Sequence, residues 1–243
     1  MDRLRADLFL VELGLFESRA KARAAIEAGR VTANGQVVAR PSEPVERSAQ
    51  ILAEPAHPWV GRGALKLEHA LALWPIAVAG RVVLDVGAST GGFTEVCLAR
   101  RAAKVFAVDV GHGQLHARLA GDARVVDLEG TDARGLTRAE VPEAPGLVVC
   151  DASFISLAKV LGAALDLAAD GADLVALVKP QFEVGRDLIG KGGTVRDPAA
   201  RAEAVRAVEA WLTSRGWTVR GREESPVRGG DGAVEHLVWA TKA

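Results

Sequence analysis

The chain has 243 residues, of which 49% are hydrophobic and 25% are charged. Its 30 Lys and Arg residues nearly balance 31 Asp and Glu residues, so the formal net charge at pH 7 is -1. This length accommodates one α/β domain of ordinary size and a small accessory module. The charge balance excludes a uniformly basic nucleic-acid-binding protein, so any basic surface is local.

Cysteine content and hydropathy indicate the compartment. Cys97 and Cys150 are too few for a disulfide framework and too far apart in sequence for a metal-ligand pair. The charged amino terminus lacks a signal-peptide core, and no apolar run approaches the roughly 18 residues of a membrane span. We therefore expect a reduced, cytoplasmic protein with no metal site and no membrane insertion.

The amino-terminal residues have the pattern of a small α+β domain. Apolar residues recur at helical spacing over residues 4–14, and a second helix over 18–29 has Ser18 as its N-cap. Residues 31–38 follow as a hairpin with an Asn-Gly turn. Prolines then interrupt the chain up to Pro58. We expect one domain over 1–55, a linker over 56–60 and a second domain over 61–243.

This pattern resembles the small RNA-binding fold first known from ribosomal protein S4. The resemblance rests on Arg3-Leu4, Ser18-Arg19, Gly29-Arg30-Val31 and Asn34-Gly35. Two arginines one helical turn apart share a face, and others extend a basic surface around them. The residues expected to contact RNA are Arg3, Arg19, Arg23 and Arg30. Acidic residues nearly balance them, so a mixed-charge surface on a protein-docking module stays open as an alternative.

From residue 81 onward, short apolar runs alternate with helical stretches, and a long helix covers 198–215. The predicted strands are 81–86, 104–109, 124–127, 147–151, 173–179, 217–222 and 234–240. This alternation predicts a parallel, doubly wound α/β sheet. Ligands of such sheets bind at the carboxyl ends of the strands.

A glycine-bearing turn, Leu84–Phe93, follows the first of these strands. Glycines let backbone N–H groups approach a polar ligand closely. Asp109 ends the next strand, where nucleotide-binding folds place an acid that contacts ribose hydroxyls. The segment predicts a nucleotide-like cofactor; a tight turn without a ligand and a NAD or FAD site remain alternatives. Its glycine spacing resembles the cofactor loop of S-adenosylmethionine-dependent methyltransferases.

Four polar residues are predicted to meet near this turn. Lys66 lies on a helix before the first strand, Asp151 and Lys179 end two strands, and Glu235 opens the last one. This order resembles the catalytic tetrad of FtsJ-like ribose 2′-O-methyltransferases. The segments Gly-Ala-Ser-Thr-Gly-Gly-Phe-Thr-Glu, Asp-Ala-Ser-Phe-Ile-Ser and Val-Lys-Pro-Gln-Phe-Glu resemble the TlyA family, whose members join an S4-like module to this catalytic domain.

The resemblance implies a Rossmann-like methyltransferase sheet with a closing strand pair. It also implies methyl transfer from S-adenosylmethionine to the ribose 2′-hydroxyl of cytidine in ribosomal RNA, with ribosomal subunits as partners and no further protein partner. The implied cofactor-binding residues are Asp85, Gly87, Ser89, Gly91, Gly92, Phe93, Asp109 and Asp132. Among them, Asp109 contacts the ribose and Asp132 the adenine amino group, where the family more often has Asn.

The residue types suit this chemistry independently of the family. A ribose hydroxyl is a poor nucleophile at neutral pH, and a neutral lysine can accept its proton. We expect Lys179 to activate the hydroxyl, with Lys66 and Glu235 as its electrostatic and orienting partners. Asp151 is expected to bridge toward the cofactor sulfonium. This scheme requires no metal.

Two other functions stay open: 2′-O-methylation of another RNA or base, and membrane lysis, which the older family name hemolysin implies. Members of the family that act on both ribosomal subunits tend to carry a longer carboxyl tail than this chain, so the resemblance implies RNA of the large subunit, with the small subunit as a further possible substrate. Two glycine-bearing loops, 190–193 and 225–232, lie beside the later tetrad residues. They are predicted to close over RNA, with Arg186, Lys191 and Arg228 on phosphates; uncontacted surface loops are the alternative.

Overall fold

A computed structural model describes residues 2–229 and 232–243. It divides into two compact units, Met1–Pro58 and Trp59–Ala243. Gly230 and Asp231, in the loop predicted to close over RNA, lie outside the described residues.

The amino-terminal unit combines two helices with five short strands. The helices are α1 (Ala6–Glu12) and α2 (Arg19–Glu27), and the strands are β1 (Arg3–Arg5), β2 (Val31–Ala33), β3 (Gln36–Val37), β4 (Pro44–Glu46) and β5 (Ile51–Ala53). β1 pairs with β4, and a second sheet has the order β3-β2-β5. The predicted N-cap and hairpin are confirmed: Ser18 Oγ accepts from Lys21 N–H at 3.3 Å, and Asn34 and Gly35 both have positive φ between β2 and β3.

The prediction is wrong at the start of the first helix. Residues 3–5 form β1, and Leu4 lies opposite Val45 of β4 in the antiparallel register. Leu4 packs against the buried residues of this unit from the strand, and the helix begins only at Ala6. Pairing with a distant segment thus overrides the helical spacing, because the strand lets Leu4 pack against the core and adds ladder hydrogen bonds to β4.

The second unit has seven strands, seven α-helices and two single-turn 3₁₀ helices among its described residues. The strands are β6 (Val82–Val86), β7 (Lys104–Asp109), β8 (Val125–Glu129), β9 (Leu147–Cys150), β10 (Asp173–Val178), β11 (Trp217–Glu224) and β12 (His236–Lys242). The helices are α3 (Ala64–Leu73), α4 (Gly92–Ala99), α5 (Ala117–Ala120), α6 (Leu157–Val160), α7 (Gly162–Leu167), α8 (Pro180–Glu183) and α9 (Pro198–Ser214). The 3₁₀ turns are Ala133–Gly135 and Arg186–Leu188.

The strands form one sheet in the order β11-β12-β10-β9-β6-β7-β8. Five neighbouring strands, β10, β9, β6, β7 and β8, are parallel to one another. β12 runs antiparallel to both β10 and β11. The predicted doubly wound sheet with its closing strand pair is confirmed. Most strand boundaries differ from the prediction by one or two residues, and one difference concerns a site residue: β12 begins at His236, so Glu235 precedes the strand rather than opening it. There the Glu235 carbonyl accepts the N–H of Ser225 instead of joining the ladder to β10.

Each face of this sheet is covered by helices. Apolar residues of α3 and α4, such as Leu67 and Val96, pack with Val83 and Val105 of the sheet. The neighbouring positions along the same strands pack with α6, α7 and α9. Alternate residues of β6 and β7 therefore enter opposite hydrophobic layers, which is the period of an extended chain. The carboxyl ends of the parallel strands consequently share one open edge.

Within the described ranges, the structure contains no helix long and apolar enough to cross a membrane.

A buried carboxylate holds the amino-terminal unit together. The Asp7 side chain is fully buried, and it accepts hydrogen bonds from Arg5 at 3.0 Å and from Arg19 at 2.9 Å. The hydrogen bond from Arg5, aided by Arg19, lowers the pKa of Asp7 to about 2 against the desolvation that burial imposes. Asp7 therefore joins β1, α1 and α2 through two ion pairs.

We expect D7N to destabilise this unit by roughly 1–2 kcal/mol at neutral pH, a figure discounted because both arginines are half exposed. A carboxylate with a lowered pKa stabilises the fold above its unfolded pKa of about 4, and this contribution disappears as the pH falls toward 2. Hydrogen exchange in peptides from residues 2–58 measures the effect. E27Q, on the exposed face of α2, is the control; equal protection in D7N and wild type would contradict the prediction.

Candidate active site

A cleft of about 310 Å³ opens at the carboxyl ends of β6, β9 and β10. The predicted site residues that line it are Lys66, Gly87, Ser89, Gly92, Phe93, Asp151, Lys179 and Glu235, together with Arg228, which was predicted to contact RNA phosphates. The remaining predicted cofactor residues, Asp85, Gly91, Asp109 and Asp132, are not part of this lining. The structure thus brings the whole tetrad together beside the glycine turn.

The glycine turn lies directly against the segment that follows β9. Gly87 has φ of +79°, and a Cβ at this position would lie 2.7 Å from Ala152 Cα. Gly91 has φ of +92° and forms the left-handed N-cap of α4. Side chains at either position would strain the turn or push the two segments apart. The missing Cβ of Gly87 therefore lets the turn approach the residue after Asp151, and the missing Cβ of Gly91 leaves room for the side chains of Leu115 and Leu119.

Asp109 supports the glycine turn from the end of β7. One of its carboxylate oxygens accepts the N–H of Ser89 at 2.8 Å, and the other accepts the N–H of Gly111 at 2.8 Å. Each carboxylate oxygen retains a further lone pair for a hydroxyl donor. The acid predicted to contact ribose is therefore fixed relative to the turn, although it lies outside the cleft lining.

Asp85 lies beneath the cleft rather than in it. Its side chain is fully buried, Thr94 Oγ1 donates to one carboxylate oxygen at 2.7 Å, and the other oxygen has no hydrogen-bond partner among the described residues. Burial raises the pKa of Asp85 to about 7. Asp85 therefore belongs to the framework under the turn and has no exposed surface with which to contact a ligand.

Asp132 is engaged by its own neighbour. Its carboxylate accepts a hydrogen bond from the Arg134 guanidinium at 2.9 Å, and this bond lowers the pKa of Asp132 to about 2. The same carboxylate accepts the backbone N–H of Arg134 and so caps the 3₁₀ turn. The contact of Asp132 with the adenine amino group stays a prediction.

The tetrad forms one continuous chain of ion pairs. Lys66 Nζ lies 2.6 Å from Glu235 Oε2 and 3.2 Å from Asp151 Oδ2, while Lys179 Nζ lies 2.7 Å from Asp151 Oδ1. Both lysines and Glu235 are at most 7% exposed. Two ammonium and two carboxylate groups compensate each other's charge, which a buried cluster of ions requires. The Asp151 carboxylate is the member that both lysines share.

Sheet register explains why these residues meet. β10 lies between β9 and β12, and Val178 pairs with His236 in the antiparallel ladder. Lys179 follows Val178 and Glu235 precedes His236, so both lie next to this ladder pair. Asp151 follows β9, the parallel neighbour of β10. Lys66, in the first turn of α3, reaches the group from the helix layer.

The pairing differs in detail from the sequence-based expectation. Glu235 contacts Lys66 rather than Lys179, and Asp151 joins the two lysines. Lys179 also donates to the Asp151 carbonyl at 2.9 Å and to Ser153 Oγ at 2.8 Å. Sequence reasoning did not assign Ser153, although it lies two residues after Asp151 in a segment that carried the family resemblance. Arg62, another cleft residue, was equally missed beside Gly61 and Gly63.

The four arginines predicted to contact RNA each have an acidic neighbour. Arg3 pairs with Glu46 at 2.9 Å, and Arg19 pairs with the buried Asp7. Arg23 and Glu27 are 3.8 Å apart on α2, and Arg30 lies 3.2 Å from Glu54. All four guanidinium side chains remain about half exposed. Of the four, only Arg19 has a partner inside the core, so its replacement affects the fold as well as the surface.

Family models match both units of the chain. The model described as FtsJ-like methyltransferase matches residues 59–242, and the S4 domain model matches residues 4–51. A Mycobacterium tuberculosis protein named 16S/23S rRNA (cytidine-2'-O)-methyltransferase TlyA is 48% identical over 98% of this chain and 89% of its own length. Hemolysin A of Brachyspira hyodysenteriae is 35% identical over 96% of this chain and 98% of its own length.

Solved structures agree with these matches. One from Streptococcus thermophilus, which carries a hemolysin name, covers 100% of this chain and 90% of its own with a TM-score of 0.78 and 38% identity. An S-adenosylmethionine-dependent methyltransferase fold from Listeria monocytogenes covers 75% of this chain and 100% of its own with a TM-score of 0.57 at 14% identity, which supports the fold alone. The chain belongs to the TlyA family, in which an S4 domain precedes an FtsJ-like methyltransferase domain.

Proposed function

We propose that this protein transfers the methyl group of S-adenosylmethionine to the ribose 2′-hydroxyl of cytidine in ribosomal RNA. The ion-pair chain of Lys66, Asp151, Lys179 and Glu235 in the cleft is the observation that carries the proposal. The 48% identity to a relative named for this reaction supports the substrate. Residues 1–55 are proposed to bind RNA, 56–60 to link the domains, and 61–243 to carry the chemistry. Ribosomal subunits are the proposed partners, with the cytoplasm as the proposed location.

The residues around the glycine turn fit the cofactor. Gly87 lets the turn lie against Ala152 beside the cleft, and the turn presents backbone groups at the start of α4, where the helix dipole favours an anionic group. We propose that Gly87, Ser89, Gly91 and Gly92 hold the methionine portion, with Phe93 packed behind them. Asp109 accepts the ribose hydroxyls and Asp132 the adenine amino group, while Asp85 supports the turn from below. The bound cofactor supplies a methyl group on a sulfonium centre.

The tetrad supplies the base and its electrostatic setting. In the proposed reaction the 2′-oxygen loses its proton as it forms its bond to carbon, and a neutral Lys179 is the base that gains a proton. Asp151 and the buried surroundings hold the resulting ammonium, and Lys66 and Glu235 fix the carboxylate of Asp151 from its other side. No step requires a metal ligand set.

Two substitutions separate chemistry from cofactor binding. K179A should lower methyl transfer by at least about 10³-fold, because it removes the base, and should leave the Kd for S-adenosylmethionine within twofold. D109N should weaken cofactor binding by roughly tenfold, because it removes a charged acceptor, and should spare transfer at saturating cofactor. Filter assays with labelled cofactor and calorimetry measure the two quantities.

D127N, on the exposed surface of β8, is the matched control for D109N. A K179A protein that retains wild-type transfer would contradict the assigned mechanism. Unchanged cofactor affinity in D109N would contradict the assigned ribose contact.

The amino-terminal unit is proposed to bind RNA through exposed arginines, and Arg23 offers the cleanest test. Its partner Glu27 is also exposed, whereas Arg19 pairs with buried Asp7. R23A should weaken RNA binding and reduce the slope of log affinity against log salt by about 1. R206A, which removes an exposed arginine of α9, is the charge-matched control. An unchanged salt slope in R23A would remove this residue from the RNA contact.

A further inference from the structure

The Lys179 amine has three oxygen atoms around it: two accept hydrogen bonds from it, and the third forms an ion pair with it. A charged lysine carries three N–H donors. Its Nζ lies 2.7 Å from Asp151 Oδ1, 2.9 Å from the Asp151 carbonyl and 2.8 Å from Ser153 Oγ. A substrate hydroxyl therefore either displaces one of these oxygens to reach the nitrogen or transfers its proton through one of them.

Ser153 differs from the other two acceptors in its chemistry. Both of the others are oxygens of Asp151, and the Asp151 carboxylate is also held by Lys66. A carbonyl or carboxylate oxygen only accepts, whereas a serine hydroxyl both accepts and donates. When Lys179 is neutral, two N–H groups can stay on Asp151 while the lone pair accepts the hydroxyl hydrogen of Ser153. The three contacts thus fit either protonation state of the amine.

Ser153 also lies on the open side of the amine. It is exposed and lines the cleft, whereas Lys179 is only 5% exposed. Its two neighbours each have a contact: Ala152 packs against the glycine turn, and Phe154, with φ of +66°, lies against the ring of Phe182. A left-handed aromatic residue costs about 1–2 kcal/mol and persists only where its surroundings impose it. The serine therefore has a fixed position between the cleft and the buried base.

We propose that Ser153 relays the proton from the ribose 2′-hydroxyl to Lys179. This inference rests on the proposed methyl transfer. As the 2′-oxygen bonds to the methyl carbon, the carbon–sulfur bond breaks and its electron pair stays on sulfur, leaving a neutral thioether. The 2′-hydroxyl proton moves to Ser153 Oγ while the serine's own proton moves to Lys179 Nζ. Serine is restored and Lys179 becomes an ammonium held by Asp151, so atoms and charge balance.

Single-turnover methyl transfer to ribosomal RNA at saturating labelled S-adenosylmethionine tests the relay in four full-length proteins: wild type, S153A, S153T and S156A. S153A should be at least about 10²-fold slower, the range of general acid–base effects, with an unchanged Kd for the cofactor. S153T keeps the hydroxyl and should retain most of the rate. S156A, in the same segment but without a side-chain helix-cap bond, should match wild type.

Rates in mixtures of light and heavy water provide a readout that a packing defect does not change. A plot of the wild-type rate against the deuterium fraction should curve, because two protons move together. The same plot for the residual S153A activity should be a straight line. S153A within threefold of wild type, or a straight line for wild type, would overturn the relay while methyl transfer by wild type still stands. Failure of wild type to transfer methyl at all would instead contradict the proposed function and the relay with it.

Discussion

The shared carboxylate of Asp151 is the interaction on which the catalytic unit depends. Two lysines that are almost fully buried both contact it, and Glu235 compensates the second positive charge. Buried ammonium groups without such partners would lose several kcal/mol of solvation each. The sheet order brings these partners together from three strand ends and one helix. The parallel sheet with its antiparallel closing strand is thus the framework that this ion-pair chain requires.

A second constraint connects this chain to the glycine turn. The Cα of Ala152 lies only 2.7 Å from the position that a Cβ of residue 87 would take, so the turn and the segment carrying Asp151 and Ser153 are in direct contact. Glycine at this position therefore brings together a proposed cofactor cradle and a proposed base. The contact explains why the proposed donor and acceptor sites belong to one cleft. Buried Asp85 and its partner Thr94 support the same turn from below.

Much of this arrangement could be predicted from the sequence, because apolar runs identify the strands and chemistry collects at strand ends. The tetrad was predicted in this way, and the structure places its members in contact. Its exact pairing could not be predicted, because Glu235 meets Lys66 only through the register of β12 on β10. The first strand was missed since three residues carry little periodicity, and the partners of the basic residues depend on distant segments, as for Arg19 with Asp7.

The cleft is proposed to methylate a ribose hydroxyl of cytidine with the buried lysine pair beside it. The most direct measurement is nucleoside analysis by mass spectrometry after the protein has acted on unmodified ribosomal RNA with isotope-labelled S-adenosylmethionine. We expect the label to be recovered as 2′-O-methylcytidine, with the methyl group on the sugar fragment. Label recovered on the base, or in no nucleoside, would contradict the account.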